Sequence, residues 1–340
     1  NRVCADFREE VCGRFSRPPY ACNGCKEESR CVLRKKYYLH NPAHTHYRKL
    51  LAETRSGANI TEGELLSLDR LVSTLIRNGQ SVHHILANNP DRFGVHEKTV
   101  YRYIAGGLLH AKNGDMPRVC MLKPRSRKPV EHKIDTKCRL GRTYADYQAF
   151  AAAAPDARVV EMDTVIGRVG GKAILTLMFP WCGLMLAFLR ERNDARSVAE
   201  CFDWLWKALG PALFRALFAL LLTDNGSEFS NPLALELGPD GTPRSRVFYC
   251  DPRATNQKSR IERNHEFLRM ILPKGTSFDP LTQDALDRTM SHINSYSRPG
   301  LGDKSPFDLF AFAYGADVPG ALRLRRVPAN EIILKPALLG

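Results

Sequence analysis

The sequence predicts an α/β protein: a mixed sheet with flanking helices, preceded by an all-α segment and a small Cys-rich start. From residue 158 onward strand-like and helix-like apolar periods alternate, whereas residues 58–113 carry helical periods only. Five of the ten cysteines fall before residue 32, which sets residues 1–48 apart. Residues 114–157 read as a basic linker and a helix, 158–315 as the sheet-containing core and 316–340 as a tail.

With 44% hydrophobic residues among 340, the chain can bury sizeable cores, and wholesale disorder is excluded. Its 50 Lys+Arg against 36 Asp+Glu leave a formal charge of +14. That surplus suits a polyanion, because each neutralised phosphate releases counterions. No stretch approaches the roughly 18 apolar residues of a membrane span; the most apolar run, 212–222, is interrupted by Arg215. The start shows neither a leader core nor a Met, so a cytosolic chain, processed or partial, with its cysteines as thiols is expected.

Cys22-Asn-Gly-Cys25 has metal-knuckle spacing, because the glycine lets both thiolates face one ion. Cys31 follows, and Cys12 or Cys4 can complete a zinc set, with His40, His44 and His46 in reserve; plain unmetallated thiols are the alternative. In the helical stretch, Thr61 with Glu64 forms a capping box ahead of a helix bearing Leu65, Leu68, Val72 and Leu75. Ser81 caps a second helix, and a third runs from about His96 to Ala105. Its Val100 and Ile104 face inward, leaving Lys98, Thr99, Tyr101, Arg102 and Tyr103 outside, as a major-groove reader needs. An ordinary three-helix packing unit would show the same periods. The linker between Asp115 and Arg142 is strongly basic and broken by Pro117, Pro124 and Pro129. It reads as an extended arm for a phosphate backbone, or else as a solvated tether.

The core opens with a strand over 158–166 that contains Asp163, then strands over 173–179 and 183–189, a meander on short turns. A helix over about 197–209, a further apolar stretch after Pro211, and a buried strand over 218–223 follow. That strand ends at Asp224-Asn225-Gly226, where a rigid strand and a free backbone present a carboxylate at the sheet edge. A fifth strand over 246–250 and a helix over 259–271 carrying Glu262, His265 and Glu266 complete the order. Three antiparallel strands, helix, strand, strand and acidic helix is the order of a ribonuclease-H-like mixed sheet, which sets its first strand beside its fourth. Asp163 and Asp224 then converge, and hard oxygen ligands suit two Mg²⁺ or Mn²⁺ ions. Two such ions about 3.5–4 Å apart stabilise the attacking and leaving oxygens of phosphoryl transfer. Each acid has a plainer reading: a satisfied buried Asp163, an Asx-turn at Asp224, a solvated helix face at Glu262. Spacing alone leaves Glu262, Glu266 and Glu228 open as the third acid.

The blocks Glu161-Met-Asp-Thr-Val-Ile-Gly167 and Leu222-Thr-Asp-Asn-Gly-Ser-Glu-Phe229 recur here, and Glu262 lies eleven residues before Pro273-Lys-Gly275. So do Tyr101-Arg-Tyr-Ile104, Gly107-Leu-Leu109, His292-Ile-Asn-Ser-Tyr-Ser-Arg298 and Ser305-Pro306. Together they resemble the insertion-sequence-thirty family of bacterial transposases, from about residue 45 to near the end. The resemblance implies that Glu262, by its distance from Pro-Lys-Gly, is the third acid of an Asp163, Asp224, Glu262 metal site. It implies an integrase-type catalytic core that frees a 3′ hydroxyl at an element end and joins it to target DNA. Residues 58–113 would then bind terminal inverted repeats as a helix-turn-helix domain. Lys258, Arg260 and Arg263 are expected as phosphate contacts and Asn225 and His265 as supporting residues. Double-stranded DNA, further copies in a synaptic complex and a bacterial, nucleoid-associated cytoplasmic setting are expected, with no membrane. Ser259 departs from the family's usual Gly but can cap the helix. A non-enzymatic DNA-binding regulator derived from a transposase is the rival reading.

Overall fold

A computed structural model describes residues 10–54, 60–117, 137–168, 170–252 and 254–340. Cys4 and the most basic part of the linker, 118–136, lie outside the described residues. The chain divides into two compact units, Asn1–Ile60 and Thr61–Gly340. The first holds short turns around its cysteines and one helix, α1 (His40–Thr54). Among the described residues no helix is long and apolar enough to cross a membrane.

The second unit opens with α2 (Glu62–Arg77), α3 (Val82–Ala87) and α4 (Glu97–Ala105). The capping box forms: Thr61 Oγ1 accepts from the Glu64 N–H at 3.3 Å, and Glu64 Oε2 accepts from the Thr61 N–H at 2.9 Å. Ser81 caps α3 through the His84 N–H. Leu68, Val72, Ile76, Ile85 and Val100 are fully buried between these helices. Tyr103, expected outside, is buried as well, one helical turn before the core side of Gly107. A helix only nine residues long has too narrow a free face for all five expected residues.

After α5 (Tyr144–Ala153) come β1 (Val159–Ile166), β2 (Ala173–Phe179) and β3 (Leu184–Arg190). Then follow α6 (Ala195–Phe218), β4 (Leu220–Thr223), α7 (Pro232–Glu236), β5 (Arg246–Tyr249), α8 (Ser259–Ile271), α9 (Gln283–Ser295), α10 (Pro306–Tyr314) and the single turn α11 (Val318–Ala321). The five strands lie in the order β3-β2-β1-β4-β5. β1, β2 and β3 pair antiparallel, while β1–β4 and β4–β5 pair parallel. This is the ribonuclease-H-like sheet that the element order predicts. α6 packs Phe202, Phe214 and Phe218 on one face, and α5 covers Leu220, Leu222 and Phe248 on the other. The expected break is present: α6 consists of two helical pieces that meet at a kink just before Pro211. Gly210, at φ +73°, absorbs the kink that Pro211 imposes, and helix resumes beyond it.

The exposed edge of β3 is closed by side chains rather than by a sixth strand. Asn294 on α9 donates to Met185 O and accepts from its N–H, and Gln283 does the same at Ala187 O and the Leu189 N–H. Two amides thus saturate four edge groups that would otherwise template pairing with another chain. The β2–β3 turn needs Gly183, which sits at φ +74° where a Cβ would meet the buried Arg298 guanidinium at 2.9 Å.

Residues 301–340, expected as a helix and a basic strand-like tail, form α10, α11 and short turns, and 316–340 serve as a clamp. Leu334 donates to Asn78 O, Gln80 Nε2 donates to Ala329 O and Ile332 O, and the Asn89 and Asn330 side-chain amides pair. The His84 ring stacks on Tyr296 at 4.1 Å and accepts from the Ser297 N–H. Burial holds the His84 imidazole down to about 4, so the ring is neutral and suited to that stack. The helical segment 61–111 is thereby seated on the core through α9 and the tail.

Candidate active site

Parallel pairing sets Glu161 level with Leu222. Asp163, within β1, and Asp224, just past the end of β4, each two residues further on, therefore lie side by side. Asp163 is mostly covered; its Oδ1 accepts from the Thr164 N–H at 2.8 Å. Asp224 is half-exposed, and its Oδ1 accepts from the Gly226 N–H, closing an Asx turn. Gly226 lets the Glu228 carboxylate approach closely: a Cβ there would meet it at 2.5 Å unless that side chain shifted. Asn225 Nδ2 donates to Cys250 O and moors the turn to the residue after β5, while its buried Oδ1 has no hydrogen-bond partner.

A cation already lies between the two carboxylates. Lys258 Nζ stands 3.7 Å from Asp163 Oδ1 and 3.6 Å from Asp224 Oδ2, and donates to Met162 O at 2.8 Å. Its side chain is only 8% exposed, so Lys258 does not present itself to a phosphate as the sequence suggested. Local spacing could not reveal this, since Met162 lies 96 residues away in sequence and both carboxylates lie outside the helix that follows Lys258. Arg260 donates to Pro180 O, and Arg263 is exposed. His265 lies against Thr176 Oγ1 at 2.8 Å through Nε2, with Nδ1 3.8 Å from Asp163 Oδ2. Thr176 spends its hydroxyl hydrogen on Asp163 O, so His265 Nε2 must be the donor and Nδ1 faces Asp163 unprotonated. Burial holds His265 down to about 4, in keeping with that neutral tautomer.

Glu262 is exposed one helical turn beyond Lys258 on α8, and Glu266 is exposed one turn further. Glu228 is buried, and its charge contributes to raising Asp163. Among the described residues no group of three or more His, Cys, Asp or Glu side chains is arranged to hold a metal ion. The acidic pair nevertheless fits one: its two carboxylates converge on a common positive charge and offer oxygen donors.

Sequence reasoning passed over Glu161. It is 6% exposed, and its Oε2 accepts from the Ile261 N–H at 2.8 Å in the first turn of α8. Ser259, the expected cap, is instead the first helical residue, and no side chain caps from Lys258. A strand carboxylate thus takes the role of the missing cap. The signal was present: a second acid two positions before Asp163, in the same apolar run and on the same face.

Elsewhere, the exposed side chains on α4 are Lys98, Tyr101 and Arg102; Thr99 is half-buried and accepts from Arg102. In the first unit Cys12, Cys22, Cys25 and Cys31 line one small cavity. The Lys36 N–H donates to Cys22 Sγ and the Arg14 guanidinium to Cys25 Sγ, both at 3.2 Å.

Burial pushes the Asp163 carboxyl up from the ordinary 3.8 to about 6, with Asp224 and Glu228 raising it and Lys258 and the Thr164 N–H opposing. The folded chain therefore binds a proton more tightly than the unfolded chain, and stability is lost as pH rises through that window. In EDTA, Asp163→Asn should gain on wild type by about 3 kcal/mol between roughly pH 4 and pH 7, then level off. Denaturant melts of the two proteins check this; a difference independent of pH would refute it.

No family model matches the chain. It is 31% identical over 152 residues to the "Putative integrase ORF3" of Spiroplasma virus SpV1-R8A2 B, covering 44% of this chain and 45% of that one. It is 26% identical over 236 residues to the "Probable transposase for insertion-like sequence element IS1161" of Streptococcus salivarius, covering 67% and 62%. With the transposase for insertion sequence element IS4351 of Bacteroides fragilis it shares 24% over 153 residues, 44% of each. The chain thus spans about half the length of the relatives it matches. The catalytic core domain of BIV integrase aligns over 47% of this chain and 98% of its own, at 18% identity and a TM-score of 0.33. By sequence similarity, the chain resembles transposases and integrases over part of their length.

Proposed function

We propose that this chain is a transposase of the insertion-sequence-thirty type, which binds the terminal inverted repeats of its element, cuts the 3′ ends and joins them to target DNA. The observation that carries the reading is the pair Asp163 and Asp224, level on adjacent parallel strands and aimed at one shared cation. Asp163, Asp224 and, on α8, Glu262 are the residues that hold Mg²⁺ or Mn²⁺. Such ions supply a water or 3′ oxygen activated at neutral pH and charge stabilisation at the phosphorus. Asn225 keeps the Asp224 turn against the end of β5, and His265 packs beside Asp163. The exposed Lys98, Tyr101 and Arg102 of α4 read base edges and phosphates, and Arg263 meets backbone phosphate. Pairing two element ends calls for more than one copy of the chain in the working complex.

Incubation of duplexes carrying the element's terminal repeats with the protein and Mg²⁺ tests this directly. Nicked 3′ ends and joined products are expected, and both should vanish in EDTA. Absence of both from wild type would favour the reading as a regulator derived from a transposase. That regulator has no use for two acids held level at one cation, which is why it is second.

Cys12, Cys22, Cys25 and Cys31 are proposed to hold a structural zinc in the first unit. Purified protein should carry one zinc per chain after dialysis, and Cys22→Ser should lose it; equal zinc in the variant would defeat the site.

A further inference from the structure

We propose that Lys258 is the resident counter-cation of the acidic pair, and that a divalent ion loads the site by displacing its ammonium. The inference rests on the reading of Asp163 and Asp224 as metal ligands, and concerns how that site is kept ready and what sets its affinity. Two carboxylates side by side on adjacent strands repel one another, and burial of Asp163 sharpens the conflict. Lys258 relieves it from the point where the turn Thr255–Lys258 meets α8.

Three features make the ammonium displaceable rather than fixed. It makes one short hydrogen bond, to Met162 O, while both carboxylates lie at 3.6 and 3.7 Å. Charge-assisted bonds of this kind ordinarily close to about 2.7–2.9 Å, so the pair holds Lys258 by its field more than by bonding. The backbone that carries Lys258 is anchored independently: Gln257 bonds the Asp251 N–H and carboxylate, and Glu161 holds the Ile261 N–H. A long, flexible side chain can therefore leave without unwinding α8. A divalent ion brings twice the charge to the same two oxygens, and on leaving, Lys258 lies one turn from Glu262, on the side where that acid must close. The groups facing Nζ from the packed elements are Asp163 and Met162 O on β1, Asp224 after β4 and, more distantly, Glu161, Cys250 and the neutral His265 on α8.

Mn²⁺ titration of the whole chain, followed by the resonance of free Mn²⁺, tests the proposal with wild type, Lys258→Met and Asp224→Asn. Without a competing ammonium, Lys258→Met should bind Mn²⁺ roughly tenfold more tightly or better, about 1.4 kcal/mol. It should also melt lower than wild type in EDTA and recover on adding Mn²⁺. Unchanged or weaker Mn²⁺ binding by Lys258→Met overturns the proposal. A variant that is unfolded in EDTA but folds with Mn²⁺ supports it; one unfolded in both shows that Lys258 only packs, and overturns it. If Asp224→Asn binds Mn²⁺ like wild type, the acidic-site reading itself fails, whatever Lys258→Met does.

Discussion

Asp224→Asn is expected to lower 3′-end cleavage and joining by roughly a thousandfold or more, about 4 kcal/mol of transition-state stabilisation. The substitution is nearly isosteric and leaves Oδ1 free to accept from the Gly226 N–H, so the Asx turn survives. What it removes is one of two charges on which a cation converges, and a neutral amide is a far poorer partner for a divalent ion. Binding of element-end DNA should be retained, because α4 and its exposed Lys98 and Arg102 lie outside the altered turn. Cleavage within tenfold of wild type, measured on pre-bound complex, would refute a catalytic role for Asp224.

Glu161→Ala should act through position rather than contact. Among the described residues its carboxylate is the only side-chain acceptor bonded to the first turn of α8, and it is hydrogen-bonded to neither Asp163 nor Asp224. Truncation leaves the buried Ile261 N–H unpaired and a hole beneath the helix, at a cost of about 2–3 kcal/mol. In a unit of this size that should lower the melting temperature by roughly 4–10 °C. Displacing the start of α8 by about an ångström should also cost roughly a hundredfold in cleavage, since Glu262 and Lys258 ride on that turn. Glu161→Gln keeps an acceptor and should recover most of the melting temperature and much of the rate. Equal losses for Ala and Gln would show that the charge, not the cap, matters, and the positioning account would fail.

How far the sequence revealed this site depended on how local each cause was. The strand order was legible because β1 to β5 are marked by short apolar runs and turn residues, and parallel pairing then levels Asp163 with Asp224. The capping box at Thr61 was legible for the same reason, being complete within four residues. Lys258 was misread because a lysine beside an acidic helix looks solvated until the strand 96 residues upstream is packed beneath it. The tail was opaque for a like reason: Asn78, Gln80 and Asn89 find their partners more than 240 residues later. Pro211 read as a break, and α6 does kink there, at the non-helical Gly210 before it. Glu262 was chosen by resemblance, and it stands exposed in the first turn of α8.

Glu262 also makes the most direct test available. Crystals grown with Mn²⁺ and measured at its absorption edge should show anomalous peaks on the Asp163 and Asp224 carboxylates, with Glu262 closed onto them and the Lys258 ammonium moved away. Peaks bound by Glu228 or Glu266 in its place, or none at the acidic pair, would contradict the account.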